Sequence, residues 1–310
     1  MPAPGEPLRV AFVGQGNYFR ACSLEQGAGG IEPTFIDFRA RSDPGPMLEA
    51  IAALEPHVVI VFRPEFVPHG AFAELAAVTV GYLTEVVPRP DDESHAHLER
   101  RLEVLESIDA SQFDRILSFD PHTAATVAEL APVWRSLPLP VSDAFYSEPR
   151  TFEERPHRTP EAIFVGRSTP HREAFLMPVK HEFDVIHIAH GISDERLRRF
   201  LADCDVGINV HKVRRPNYEN RVSLYLAAGL LVITQPLSPT FGLEAGRDYL
   251  EVSSPQELYE TLARVRAEPD AFLDVRRSGR ESAEAFRAST VYPRLVGELL
   301  ADVAASGGRL

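Results

Sequence analysis

The sequence predicts an α/β protein built as two doubly wound units, and three observations carry that prediction. Short β-rich apolar runs alternate with helical patterns along the chain, the rhythm of mostly parallel sheets covered on both faces. The rhythm breaks once, between Leu137 and Thr159, where Pro138, Pro140, Pro149 and Pro156 crowd among charges, as at a domain boundary. Both series open alike, with an apolar strand running into a glycine loop: Leu8–Val13 into Gly14-Gln15-Gly16-Asn17, and Ala162–Val165 into Gly166-Arg167. The division is residues 1–150 and 160–310. A chain of 310 residues is long for one core and comfortable for two of about 150 residues each.

The individual elements follow from pattern and punctuation. In the first half, strands are expected at 8–13, 34–38, 57–62, 78–83 and 115–119. Helices are expected at 46–54, 72–77 and about 91–108, the last strongly charged. In the second half, strands are expected at 162–165 and 183–189, followed by a helix opened by Ser193, whose Asp194 and Glu195 suit a first helical turn. Further strands should lie at 205–211, 230–234 and 249–252. A helix should run over 255–266, and a long helical tail from about 271 to 305.

Bulk composition narrows the function. Hydrophobic residues make up 44% of the chain, with no apolar run near the roughly 18 residues a span needs, and MPAPGEPLRV has no signal-peptide core. Two distant cysteines, Cys22 and Cys204, suggest a reducing compartment, so the cytoplasm is the expected location. The net charge of −13 argues against a nucleic-acid polymer as partner. A local basic loop of Lys212, Arg214, Arg215 and Arg221 is nevertheless sufficient to hold one diphosphate.

That loop lies in the most informative stretch, Asp205 to Thr234: strand, basic loop, alanine-rich helix, Gly229 stop, strand. Ligands of such units sit beyond the carboxyl ends of the strands, in the loops feeding the helices, where 211–221 falls. Asn220 and Arg221 stand at the start of the helix, where free N–H groups favour phosphate.

Three segments in order, AIFVGR (162–167), HGISDERLRRFLADCDVGINVH (190–211) and NRVSLYLAAGLLVIT (220–234), with a weaker FGLEAGRDYLEVSSPQELYETL (241–262), resemble the donor domain of GT-B glycosyltransferases. The pattern is similar to family 4 and to the spore maturation protein CgeB group. The resemblance implies two Rossmann-like doubly wound domains facing each other. It also implies a metal-independent, hexosyltransferase-like enzyme that moves a sugar from a nucleoside diphosphate sugar to a hydroxyl acceptor, a small molecule or glycan, with retention, and with no cofactor beyond the donor substrate.

By the same resemblance, Gly166 and Arg167 meet the donor diphosphate, His190, Gly191 and Ile192 hold the base, and His211 faces the donor. Arg167 and Arg221 would act on the leaving diphosphate, and Lys212, Tyr218, Glu219 and Asn220 complete the donor site. The family's two glutamates fall here on Pro216 and Leu224, with Glu219 and Asn220 as substitutes for ribose contact. A catalytically silent binding module is therefore the alternative reading.

The N-terminal glycine loop, with Gly14, Gly16, Asn17 and Tyr18, is expected on the acceptor side. A dinucleotide fingerprint would need glycine at Phe19, although Asp37 stands where a ribose carboxylate would; an NAD-dependent oxidoreductase is the weaker alternative. His95 and His97, two apart on a helix, point to different faces and make no metal site. No G-x-S-x-G elbow is present.

Overall fold

The computed structural model describes residues 5–89, 96–151 and 161–306. His95, the start of the charged helix at 91–95, and the Pro156 part of the expected boundary lie outside the described residues, as does the side chain of His97. The chain divides into two compact units, Met1–Ser142 with Ala288–Leu310, and Asp143–Arg287. Each carries one parallel sheet.

The first unit runs β1 (Leu8–Gly14), α1 (Gly16–Phe19), β2 (Ile31–Asp37), α2 (Gly45–Leu54), β3 (Val58–Phe62), β4 (Val78–Leu83), α3 (Ala96–Leu105), β5 (Arg115–Ser118), α4 (Thr123–Val127) and β6 (Val133–Ser136). Its six strands lie in the order β2-β1-β3-β4-β5-β6. Val10–Val13 of β1 and Val58–Phe62 of β3 are buried on both faces, which is why they read as unbroken apolar runs and not as alternating ones. Met47 and Ile51, one helical turn apart on α2, close part of one face.

The helix expected at 72–77 is a set of turns. Gly70 has φ +71°, and only a few residues separate it from β4. Phe72 serves as a core plug, edge-on to Phe113 at 5.9 Å. The short α4 and β6 are additions to the sequence reading.

The second unit runs β7 (Ala162–Val165), α5 (Pro170–Lys180), β8 (Val185–Ile188), α6 (Asp194–Asp203), β9 (Val206–Asn209), α7 (Arg221–Ala227), β10 (Leu231–Thr234), β11 (Leu250–Glu251), α8 (Pro255–Ala267) and α9 (Leu273–Ser282). Its strand order is β11-β10-β9-β7-β8. Ser193 caps α6 by accepting from Arg196 N, worth about 1 kcal/mol for a side chain of this kind.

The expected single tail is two helices, α9 and α10 (Ala288–Ala305), with a 3-10 turn at Ala283–Phe286 and an extended Arg287 between them. The sequence attaches this tail to residues 160–310 and has it cross back toward the first domain; α10 groups with the first unit. There Tyr292 meets Phe12 edge-on at 4.7 Å, and its hydroxyl donates to Cys22 O. None of the described helices is long and apolar enough to cross a membrane.

Candidate active site at the carboxyl edge of the second sheet

Strand order locates the site before any side chain does. The chain passes from β7 outward to β8 on one side, then returns to β9 and proceeds through β10 to β11 on the other. The connections therefore diverge between β7 and β9, the kind of switch point where open α/β sheets bind ligands.

Here the two strands also separate early. Their register comprises Ala162 with Val206 and Ile163 with Gly207. Beyond it, the Tyr225 hydroxyl accepts from Val165 N at 2.9 Å. Tyr225 lies this close because Gly207 has no side chain: a Cβ there would sit 2.4 Å from the ring.

Two arginines bridge the opened edge. Arg172, on the first turn of α5, donates from Nε to Val210 O at 2.9 Å, from Nη1 to Arg167 O at 3.1 Å and from Nη2 to Glu219 Oε1 at 3.1 Å. Arg221, at the start of α7, donates from Nη1 to Asn209 Oδ1 at 2.6 Å and from Nη2 to Glu219 Oε2 at 3.1 Å. Both guanidiniums lie over the Phe164 ring, at 5.3 and 5.2 Å from its centroid. Glu219 thus joins two cations with one oxygen each, Arg172 buried and Arg221 partly buried. Arg172 is 3% exposed, so this carboxylate is the counter-ion that makes its burial tolerable.

Both guanidiniums cross directly over Gly166. A Cβ on that residue would stand 3.1 Å from Arg221 Nη2 and 3.2 Å from Arg172 Nη1, so the close approach explains the glycine. Arg167 follows, exposed, and its side chain has no hydrogen bond or ion pair among the described residues. Three guanidiniums against one carboxylate leave this corner positive in an acidic chain.

The Gly166 carbonyl is held from beneath. His187 Nε2 donates to Gly166 O at 2.8 Å, while Nδ1 accepts from Lys180 Nζ at 2.9 Å. An ammonium on Nδ1 fixes the tautomer. Lys180 in turn pairs with Glu173 at 3.2 Å, whose carboxyl is held below its usual range chiefly by its bond from the Ser168 hydroxyl.

His211 ends the next connection and is 2% exposed. Its backbone N–H donates to Gln235 Oε1 at 2.9 Å, and its Nε2 donates to Pro236 O at 2.8 Å. Burial holds the imidazole below its usual pKa, and Arg221 and Arg172 push the same way against Glu219. The ring is therefore neutral near pH 7.

Tyr218 is a core residue, edge-on to Phe241 at 4.8 Å and hydrogen-bonded to Ser223, with its phenol raised by burial. Lys212 and Asn220 are half-buried in the same loop. His190 and Gly191 are exposed, with Ile192 half-buried, in the connection after β8, where Gly191 has φ +74°.

In the first unit, Gly14 and Gly16 line the turn after β1, Asn17 lies in α1 and Tyr18 is 49% exposed. Gly16 N donates to Asp37 Oδ1 at 2.8 Å and Arg39 pairs with Oδ2 at 3.2 Å, so the Asp37 carboxylate is engaged on both oxygens. Phe19, at the place of a third fingerprint glycine, stacks on Phe62 at 4.8 Å. Both observations weigh against dinucleotide binding there. Among the described residues, no group of three or more His, Cys, Asp or Glu is placed to hold a metal ion.

Sequence reasoning missed Arg172 together with all of α5. A signal was available: Thr169-Pro170 is an N-cap followed by proline at N1, and Thr169 Oγ1 accepts from Arg172 N. Pro178 lies inside the helix near its end.

Residues 164–291, less than half the chain, match the model of a family described as "Glycosyl transferase-like". No curated protein matches the chain in sequence.

Solved structures are similar over nearly the full length. HepE of Anabaena, in complex with UDP and glucose, superposes with a TM-score of 0.55 at 10% identity, covering 95% of this chain and 100% of that one. A sucrose-phosphate synthase from Thermosynechococcus elongatus gives 0.58 at 14% identity, covering 96% and 99%. AviGT4, a glycosyltransferase involved in avilamycin A biosynthesis, gives 0.51 at 16%, covering 96% and 98%. At such identities the likeness is one of fold, and the fold is the α/β GT-B type, two parallel sheets with interleaved helices.

Proposed function

We propose that the chain is a glycosyltransferase that takes a nucleoside diphosphate sugar and passes the sugar to a hydroxyl acceptor. The observation that carries the reading is the group of Arg167, Arg172 and Arg221 around Gly166 at the switch point. The family match over 164–291 and the GT-B likeness support it, as does the resemblance to family 4 and the CgeB group.

In this reading the diphosphate lies against the Gly166-Arg167 turn. As the glycosidic bond breaks, negative charge grows on the departing phosphate, and guanidiniums already fixed by Phe164, Val210 and Glu219 meet that charge without reorganising. The exposed Arg167 closes on it from solvent. The sugar is a hexose and leaves with retention of configuration. The cationic charge comes from arginine, so the reaction is metal-independent. Cytoplasmic placement belongs to the same reading, with Cys22 and Cys204 both free thiols.

A second reading, a silent binding module, is favoured by the side chains at 216 and 224: Pro216 and Leu224 offer no carboxylate. Turnover separates the two. Release of UDP from UDP-glucose, with and without hydroxyl acceptors, should be catalysed by the wild-type chain and lost in Arg167→Ala. EDTA should not change the rate. Tight UDP-glucose binding without any release would favour the silent module.

A further inference from the structure

The arginines account for a phosphate but leave other buried groups unexplained. Three hydrogen-bond acceptors without a donor lie in the single connection from β9 to α7: His211 Nδ1, Asn217 Oδ1 and Asn220 Oδ1. His211 and Asn217 are 2% and 1% exposed. Buried polar atoms in native proteins nearly always have partners, so an orphan calls for an explanation such as an absent ligand.

Their chemistry restricts that ligand. His211 spends its ring proton on Pro236 O at 2.8 Å, and a neutral imidazole carries only one; Nδ1 therefore presents a lone pair. Asn217 directs Nδ2 to Arg215 O at 3.4 Å, which leaves its buried oxygen without a donor. Neither atom can take a phosphate oxygen, which is itself an acceptor. Both can take a hydroxyl hydrogen. Glu219, eight residues on from His211, marks the other chemistry of the same loop, since its two arginines donate and suit phosphate.

We propose that this connection divides recognition between two chemistries, with Arg172 and Arg221 holding the diphosphate while His211 Nδ1 and Asn217 Oδ1 accept hydrogen bonds from sugar hydroxyls of the same ligand. The assignment rests on the donor-site reading above and adds to it the residues that read the sugar. Both atoms are closed to water in the free chain, so the ligand reaches them as the stretch around the exposed Arg214 and Pro216 draws aside. The hydroxyls come from the ribose or from the transferred sugar, and the choice of probes distinguishes them.

The test is calorimetric titration of pyrophosphate, UDP, 2′,3′-dideoxyuridine diphosphate and UDP-glucose against wild type, His211→Leu, His211→Asn and Asn217→Ala. Leucine removes the acceptor. Asparagine restores an oxygen near the position of Nδ1 but cannot reach Pro236 O as the imidazole does, so its rescue separates hydroxyl reading from a purely structural role.

His211→Leu should lose roughly 10-fold or more on a hydroxyl-bearing probe, the loss of one such hydrogen bond, keep pyrophosphate affinity within about twofold, and be rescued in large part by His211→Asn; Asn217→Ala should show the same selectivity. A loss for UDP that vanishes with the dideoxy analogue assigns the ribose, and a loss confined to UDP-glucose assigns the transferred sugar. Equal losses on all four probes, a loss that persists with the dideoxy analogue, or no selective loss would each overturn the assignment. A wild-type chain that takes pyrophosphate but gains nothing from hydroxyl-bearing probes would overturn it too. A wild-type chain that binds neither pyrophosphate nor the uridine probes would defeat the donor-site reading itself, and this assignment with it.

Discussion

Replacing Glu219 by glutamine should destabilise the second unit and make it depend on anions. Glu219 is bonded by Arg172 through one oxygen and Arg221 through the other, each at 3.1 Å. Removing one partner of a buried ion pair costs about 3–5 kcal/mol, because the other charge remains buried. Two features reduce that figure. The Glu219 side chain is 21% exposed, and Arg172 keeps its bonds to Val210 O and Arg167 O; about 2–3 kcal/mol is the resulting expectation. For a unit of this size that corresponds to a fall of roughly 5–10 °C in Tm.

Pyrophosphate should reverse much of the loss, because it returns negative charge to the two guanidiniums; at 100 times its Kd the gain is about 2.7 kcal/mol. Thermal unfolding followed by circular dichroism, with and without pyrophosphate, measures both effects. A Glu219→Gln protein melting within about 1 °C of wild type would refute the claim that this carboxylate makes the buried arginines tolerable. So would pyrophosphate that stabilises wild type and not the variant.

Other consequences are independent of that one. Arg167→Ala should leave stability within about 0.5 kcal/mol, as for an exposed side chain, yet weaken pyrophosphate binding by about 1.5–3 kcal/mol in titration calorimetry. Gly166→Ala should weaken the same binding because its Cβ meets Arg221, Arg172 and Phe164 at 3.1–3.2 Å; unchanged affinity would show that the guanidiniums move freely. Stability should also fall in acid. His211 and His57 have folded pKa values lowered by burial from 6.5, so the unfolded chain binds protons first. The stabilisation is complete above about pH 6.5 and lost as pH falls below it, by at most about 1.4 kcal/mol per pH unit per histidine. Urea titrations at pH 7.5 and 5.5 should show a smaller decline in His211→Asn than in wild type.

Much of the fold was legible because its signals are local. Val58–Phe62 reads as a buried strand from its own side chains, and Ser193 announces α6 through its own cap. The proline-rich stretch and the restart at Ala162 pointed to two units. What the sequence concealed depends on neighbours in space. Residues 72–77 have helical composition but form turns, with Phe72 settled against Phe113.

The tail read as one helix because nothing in its periodicity reveals that Arg287 is extended. At the site, Gly166, Arg167, His211 and Arg221 were singled out by the family resemblance together with their positions at strand ends and a helix start. Arg172 was not, since its role depends on Val210 and Glu219, 38 and 47 residues away in sequence. Nor could spacing show that Tyr218 lies against Phe241.

The central claim is that the second unit, through its arginines, holds a nucleoside diphosphate sugar. The most direct measurement is a thermal-shift and calorimetric comparison of UDP, UDP-glucose and NAD against wild type, Arg167→Ala, Arg221→Ala and Gly16→Val. The account predicts that UDP and UDP-glucose bind wild type and Gly16→Val alike, that each arginine variant weakens them by about 1.5–3 kcal/mol, and that NAD gives no shift. Nucleotide binding abolished by Gly16→Val but untouched by both arginine variants would place the site in the first unit and contradict the account.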